Sequence, residues 1–85
     1  MSGTEVSERA EDVVRHVVTA IVDHPDVVRV STDTDRDPAR INIEVGEGDM
    51  GRVIGRRGRV ANAIRALGRA AAAIDGEDVD VEFVD

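Results

Sequence analysis

The chain contains no cysteine, tryptophan or tyrosine, and Phe83 is its only aromatic residue. Without cysteine there are no disulfides or thiolate metal sites to supplement the core, which suits a reducing, cytoplasmic setting. Without aromatic side chains, the stacking platforms of many single-strand binders are missing. No apolar run approaches the ~20 residues of a membrane span. Met1-Ser2-Gly3-Thr4-Glu5 is acidic and lacks the basic and apolar regions of a secretory signal, so a soluble protein with a disordered start over residues 1–5 is expected. Lysine is absent too, and all eleven basic residues are arginine. Catalytic groups are equally scarce. Three serines (Ser2, Ser7, Ser31) and two histidines (His16, His24) form no recognisable nucleophile–base pair, so no enzyme is expected. The histidines, eight residues apart with only Asp23 and Asp26 beside His24, make a poor metal site, and neither metal nor cofactor is expected.

At 85 residues the chain is the size of one small domain with a modest core. Its net charge is −7, the wrong sign for a nucleic-acid binder taken as an average. The distribution says otherwise. Met50 to Ile74 holds six arginines (Arg52, Arg56, Arg57, Arg59, Arg65, Arg69) and no acid, while all eighteen acids lie elsewhere.

Periodicity gives the order of elements. From Val6 onward Ala10, Val13, Val14, Val17, Val18, Ile21 and Val22 follow helical spacing, with Thr4 or Ser7 as cap and Glu5 and Glu8 suited to the dipole. Pro25 ends this helix by His24. Val27 to Thr32 and Arg40 to Val45 alternate as strands, the second turning Ile41, Ile43 and Val45 inward. Between them lies a polar turn whose Asp33, Asp35, Asp37 and Glu44 mimic calcium-loop spacing, but Pro38 stands where such a loop needs glycine and the flanks are strands. A short helix over Met50 to Ile54 follows, capped by Asp49. Then come a turn, a long helix with the stripe Val60, Ile64, Leu67, Ala71 and Ile74, a C-cap at Gly76 and a last strand through Val79, Val81 and Phe83. Gly46-Glu47-Gly48-Asp49-Met50-Gly51 has the form of a dinucleotide fingerprint. Its acids would repel a pyrophosphate, and the helix that follows is too short.

The stretch with chemistry in it is Arg52-Val53-Ile54-Gly55-Arg56-Arg57-Gly58-Arg59. Two glycines permit backbone angles closed to other residues and close approach of a ligand. The helix that begins here offers unpaired amides and a positive dipole end to an anion. Arginines at the tip and flanks add forked donors that fit phosphate.

Val53-Ile54-Gly55-Arg56-Arg57-Gly58 resembles the VIGxxG signature of KH domains, whose GxxG loop clamps the backbone of four nucleotides. Together with Asp49-Met50-Gly51-Arg52 before it and Ala63-Ile64-Arg65 after it, the run resembles the small bacterial KhpA (YlqC-like) RNA-binding family, over roughly Val13 to Val84. The resemblance implies an α+β fold, a type II KH-like domain of order αββααβ over residues 6–85, with a three-stranded sheet and three helices on one face. It implies a groove between the loop, its two helices and the sheet edge, where single-stranded RNA is gripped by Gly55, Arg56, Arg57 and Gly58 with Arg52, Val53, Ile54 and Arg59. Val53, Ile54 and Ile43 would then support the bases, with modest and weakly sequence-specific affinity. It further implies an RNA chaperone linked to cell-wall biogenesis and cell shape, working as a homodimer or paired with a larger KhpB (Jag)-like KH protein. A protein-interaction subunit, with RNA binding secondary, is the alternative.

Overall fold

The computed structural model describes residues 7–84; the expectations for residues 1–5, and the possible cap at Thr4, lie outside them. The elements run α1 (Glu8–Ile21), β1 (Arg29–Asp33), β2 (Ala39–Glu44), α2 (Met50–Ile54), α3 (Arg59–Ile74) and β3 (Val79–Val84), with short 3-10 turns at Pro25–Val27 and Arg56–Gly58. This is the αββααβ order of a type II KH domain. Periodicity does not specify strand neighbours, and the structure supplies them: the sheet order is β1-β2-β3, with β2 antiparallel to β1 and parallel to β3.

The sheet has one wet face and one dry. Ser31, Asn42 and Glu82 lie in one cross-strand row and Asp33, Arg40 and Asp80 in another, a polar ladder of exposed and half-buried side chains. The alternate residues, Ile41, Ile43, Val79 and Val81, are buried against the helices. From α1 come Ala10, Val14 and Val18, spaced four apart so that they form one stripe on the helix. Ser7 caps α1 by accepting from the Ala10 N–H at 3.1 Å, which satisfies one of the amides a helix start leaves free.

Helix α3 is turned away from the phase its large side chains predict. Of the expected stripe only Ile64 and Ala71 are buried, and Leu67 and Ile74 are 45% and 70% exposed. Its buried face is Ala61, Ile64, Gly68, Ala71 and Ala72. Close approach decides the phase. A methyl group on Gly68 would sit 2.9 Å from Val81 Cγ2 and 3.1 Å from Val14 Cγ2, so the small-residue face is the one that lets α3 settle against both α1 and β3.

Helix α1 also stops earlier than Pro25 requires, at Ile21, with Val22 extended at φ −93°, ψ 160°. The strand expected from Val27 begins at Arg29, because Pro25–Val27 forms the 3-10 turn. The reason for the early exit is Asp49. Its carboxylate accepts the backbone N–H groups of Asp23 and His24, both at 3.0 Å, and a helix continued to His24 would turn those groups elsewhere.

Candidate nucleic-acid interface

Asp49 fixes α2, and through it the loop. It occupies the cap position of α2, its carbonyl accepting from the Arg52 and Val53 N–H groups at 3.0 and 3.3 Å. Its side chain makes no cap bond to that helix; it is buried and reaches back to Asp23, His24 and His24 Nδ1, the last at 3.1 Å. Burial pushes the Asp49 pKa up, but the Asp23 N–H and the two His24 contacts pull harder, and the carboxyl stays below its ordinary 3.8. The expected capping role is therefore correct for the carbonyl and wrong for the carboxylate.

Arg52 belongs to the same cluster. Its Nη2 lies 3.2 Å from Asp23 Oδ2 and its Nε 3.9 Å from Asp49 Oδ1, so the guanidinium that the sequence assigns to RNA already has acidic partners. Val53 and Ile43 are both fully buried. They support the loop from beneath and present no surface to a base, which corrects that part of the expected platform; Ile54 alone of the three is partly exposed.

The turn itself is built from unusual backbone. Helix α2 ends at Gly55, whose N–H bonds to the Gly51 carbonyl at 2.9 Å and whose angles, φ 74° and ψ 177°, lie in a region essentially reserved for glycine. Space enforces the same choice, because an added Cβ would stand 2.4 Å from Val60 Cγ2 and 3.0 Å from the Val60 nitrogen. Arg57 (φ 58°, ψ 25°) and Gly58 (φ 73°, ψ 13°) are both left-handed. For arginine that costs about 1–2 kcal/mol, strain of the kind that concentrates at functional loops. Gly58 opens α3 with no side-chain cap.

The charges at the tip are unclaimed. Arg56, Arg57 and Arg59 are exposed and none makes an ion pair with another described residue. Fixed left-handed backbone, an uncapped helix start and three guanidinium groups without an acidic partner among the described residues make a corner whose chemistry suits an anion. An open pocket of about 420 Å³ lies elsewhere, lined by His24, Asp26, Val27, Gly46 and Glu47, and its acids disfavour a phosphate.

Two features were missed by the reading of the sequence. Along α3, Asn62 and Arg65 run toward the edge strand β3, where Arg65 Nε donates to the Val81 carbonyl at 3.2 Å. On the other flank, Val60, Ala63, Leu67, Ala70 and Ile74 are spaced three and four apart, and the last four are exposed. That spacing was legible as a heptad seam, but assigning the large residues to the core hid it. Among the described residues, no helix is long and apolar enough to cross a membrane.

Comparison with known proteins agrees with the architecture. The family model described as KhpA/KhpB, KH domain matches residues 11–83. Among curated relatives, the RNA-binding protein KhpA of Halalkalibacterium halodurans is 43% identical over 72 residues, covering 85% of this chain and 95% of its own. The RNA-binding protein KhpA of Leifsonia xyli subsp. xyli is 49% identical over 70 residues, 82% of this chain and 90% of the relative. That of Bacillus subtilis is 37% identical over 78 residues, 92% and 96%. No solved structure gives a significant match. A type II KH fold, a GxxG turn between α2 and α3 and relatives aligned along almost their whole lengths lead to one conclusion: the chain belongs to the KhpA/KhpB KH-domain family.

Proposed function

We propose that residues 6–85 work as one KH module that binds single-stranded RNA, with the Gly55-Arg56-Arg57-Gly58 turn gripping the sugar–phosphate backbone. The observation that carries this reading is the pair Arg56 and Arg57, exposed and without an acidic partner among the described residues, at the tip of a turn whose backbone Gly55 and Gly58 set. The printed names of the relatives, RNA-binding protein KhpA, support the ligand class. Arg59 extends the positive corner, Ile54 offers apolar surface beside it, Val53 supports it from the core, and Arg52 steadies α2 against Asp23. With one aromatic residue in the chain, the grip is electrostatic and modest. Such a grip releases RNA readily, as a cytoplasmic RNA chaperone must.

The test is fluorescence anisotropy with a mixed-sequence single-stranded RNA. If about three phosphates are neutralised, log K falls against log salt with a slope near −2, from ~0.7 per phosphate. Arg56→Asp with Arg57→Asp abolishes measurable binding while the far-UV CD spectrum is unchanged; equal affinity of this variant and the wild type refutes the assignment.

A second reading, compatible with the first, is favoured by the seam of Val60, Ala63, Leu67, Ala70 and Ile74, exposed from Ala63 onward. A helix with apolar residues at three-four spacing buries them against a like helix, and a second copy of the chain supplies one through a two-fold axis. A KhpB (Jag)-like KH protein is the competing occupant. Sedimentation equilibrium should give a dimer for the wild type and a monomer for Leu67→Glu; a wild-type monomer at all concentrations removes the second copy from consideration.

A further inference from the structure

Helix α3 leaves the GxxG turn in a definite direction. Gly58, Asn62, Arg65 and Arg69 follow one another at intervals of four, three and four, so they lie along one line of the helix. This line starts at the turn and passes beside β3, on the flank away from Leu67 and Ile74. RNA held at the turn and running along α3 meets Arg65 about 10 Å on, at 1.5 Å per residue, which lies within the span of the four nucleotides that a GxxG clamp holds.

Arg65 is the one arginine of the positive segment whose guanidinium is held by neutral groups. Its Nε donates to the Val81 carbonyl at 3.2 Å and its Nη1 to Asn62 Oδ1 at 3.1 Å. Its Cζ lies 5.7 Å from the centroid of the Phe83 ring, a cation–π arrangement. The carbonyl, amide and ring thus fix the plane without neutralising the charge. An arginine has five N–H donors, and two are used here, so three remain on Nη1 and Nη2 in a half-buried residue. A fork held in advance loses little entropy when it binds.

The geometry points to Arg65 as a base-reading residue that selects nucleotides presenting two adjacent hydrogen-bond acceptors. This rests on the RNA-binding reading above. A fork of donors needs a pair of acceptors side by side. Guanine offers O6 and N7, and cytosine offers N3 and O2. Adenine places an amino donor beside N7, and uracil places its N3–H between its two carbonyls, so each meets the fork with a donor where an acceptor is required. A donor facing a donor leaves both unsatisfied. The single strand makes these edges reachable, because unpaired bases expose their Watson–Crick and Hoogsteen sides. Sequence preference is therefore built on α3 and β3, beyond the turn that supplies the grip.

The experiment is anisotropy with octauridylate and with the same RNA carrying two central guanines, cytosines or adenines. The wild type should favour the guanine or the cytosine RNA over octauridylate by about five-fold or more, with the adenine RNA no better than octauridylate; the guanine and cytosine arms tell which edge is read. Arg65→Lys keeps the charge and loses the fork, so the preference should fall below about two-fold while affinity for octauridylate and the salt slope stay the same. Should Arg65→Lys disturb the fold by CD, Asn62→Ala, at an exposed position, unlatches Nη1 and should reduce the preference in the same direction. Equal wild-type affinity for all four RNAs overturns the inference, as does a preference that survives both variants. A salt slope shallower by ~0.7 in Arg65→Gln with base preference unchanged makes Arg65 a phosphate contact and overturns it as well. Failure of the wild type to bind any of the RNAs removes the RNA-binding reading, and this inference with it; binding to all of them that is lost in the Arg56→Asp, Arg57→Asp variant leaves that reading standing whatever Arg65 does.

Discussion

The two ends of α3 begin and finish alike and are completed differently. Each is flanked by a left-handed glycine at φ 73°, Gly58 before the helix and Gly76 after it. At the far end the glycine turn and the acid beside it have partners within the chain. The Glu77 N–H returns to the Ala72 carbonyl at 2.9 Å and the Gly76 N–H to the Ala73 carbonyl at 3.0 Å, the paired bonds of a Schellman stop. Asp75, an acid where the helix dipole disfavours one, accepts from Ser7 Oγ at 2.6 Å and from Arg9 Nε at 3.3 Å. At the near end no side chain caps the helix, and Arg56, Arg57 and Arg59 have no acidic partner among the described residues. One sequence device thus serves as a stop where its partners are internal, and under the proposed RNA-binding reading as a docking point where they are left to a ligand.

The largest effect belongs to Gly55, because the near end depends on it twice. Gly55→Ala must place a side chain at φ 74°, ψ 177° and against Val60. Backbone strain of about 1–3 kcal/mol and overpacking of a similar size add to a loss of roughly 2–6 kcal/mol, read as a lowered urea midpoint by far-UV CD. An unchanged midpoint would mean that the turn has another backbone available to it, and the contrast with the far end would lose its basis.

The next pair tests the contrast directly. Gly58→Ala and Gly76→Ala meet open space, with nothing within 4 Å of either new methyl, and both force alanine into the left-handed region. Each should cost about 1–2 kcal/mol of stability. Only Gly58→Ala should also weaken RNA binding. If the two variants bind RNA equally, the near end is no more a docking point than the far one.

The comparison also shows where local sequence signals stop carrying information. Element order was legible because alternation and three-four spacing are written within a few residues; the GxxG turn was legible because Gly55, Gly58 and four arginines lie in one short run. Strand neighbours were not, since a period of two specifies which face a residue points to and says nothing of which strand lies beside it. Asp49 matched the N-cap signal of α2, but its carboxylate partners, Asp23 and His24, lie about 25 residues upstream, out of range of any cap rule. The phase of α3 was misread because Leu67 and Ile74 outweigh Gly68 on any hydrophobicity scale, whereas Gly68 is what permits contact with Val14 and Val81. Val53 and Ile43 were assigned to base contact by likeness to the motif, and burial places both in the core.

A smaller effect, of the opposite sign for stability and binding, is expected at Arg57. Its left-handed backbone costs about 1–2 kcal/mol, whereas glycine there adds about 0.5–1 kcal/mol of ordering entropy. Arg57→Gly should leave the fold as stable as before or up to about 1.5 kcal/mol more stable. RNA affinity should fall, with a salt slope shallower by ~0.7. Strain retained for binding predicts both changes together. A destabilised variant with unaltered RNA affinity would make Arg57 a structural residue and move the site away from the tip.

The smallest effect lies at the closed end and depends on pH. The Ser7 hydroxyl pulls the Asp75 pKa down, burial opposes it, and Arg9 adds to the pull, so the folded carboxyl titrates below its ordinary 3.8. A depressed folded pKa means that the unfolded chain binds the proton first on acidification. The contribution of Asp75 is therefore complete above the unfolded value and is lost as pH falls through the folded one. Asp49, also depressed, acts with the same sign. Urea midpoints measured from pH 6 downward should decline below about pH 4 in the wild type and less steeply in Asp75→Asn, the remaining slope belonging to Asp49 and the other carboxylates. Ser7→Ala, which also removes the α1 cap, lowers the whole curve and makes its acid limb shallower, because the folded Asp75 carboxyl then titrates closer to its unfolded value. RNA binding at neutral pH should be the same in Asp75→Asn as in the wild type, since this end of α3 has already satisfied its own charges. Parallel acid limbs in the two proteins would show that the Ser7–Asp75–Arg9 contact contributes nothing to closing the far end, and its completeness would then come from the Gly76 backbone bonds alone.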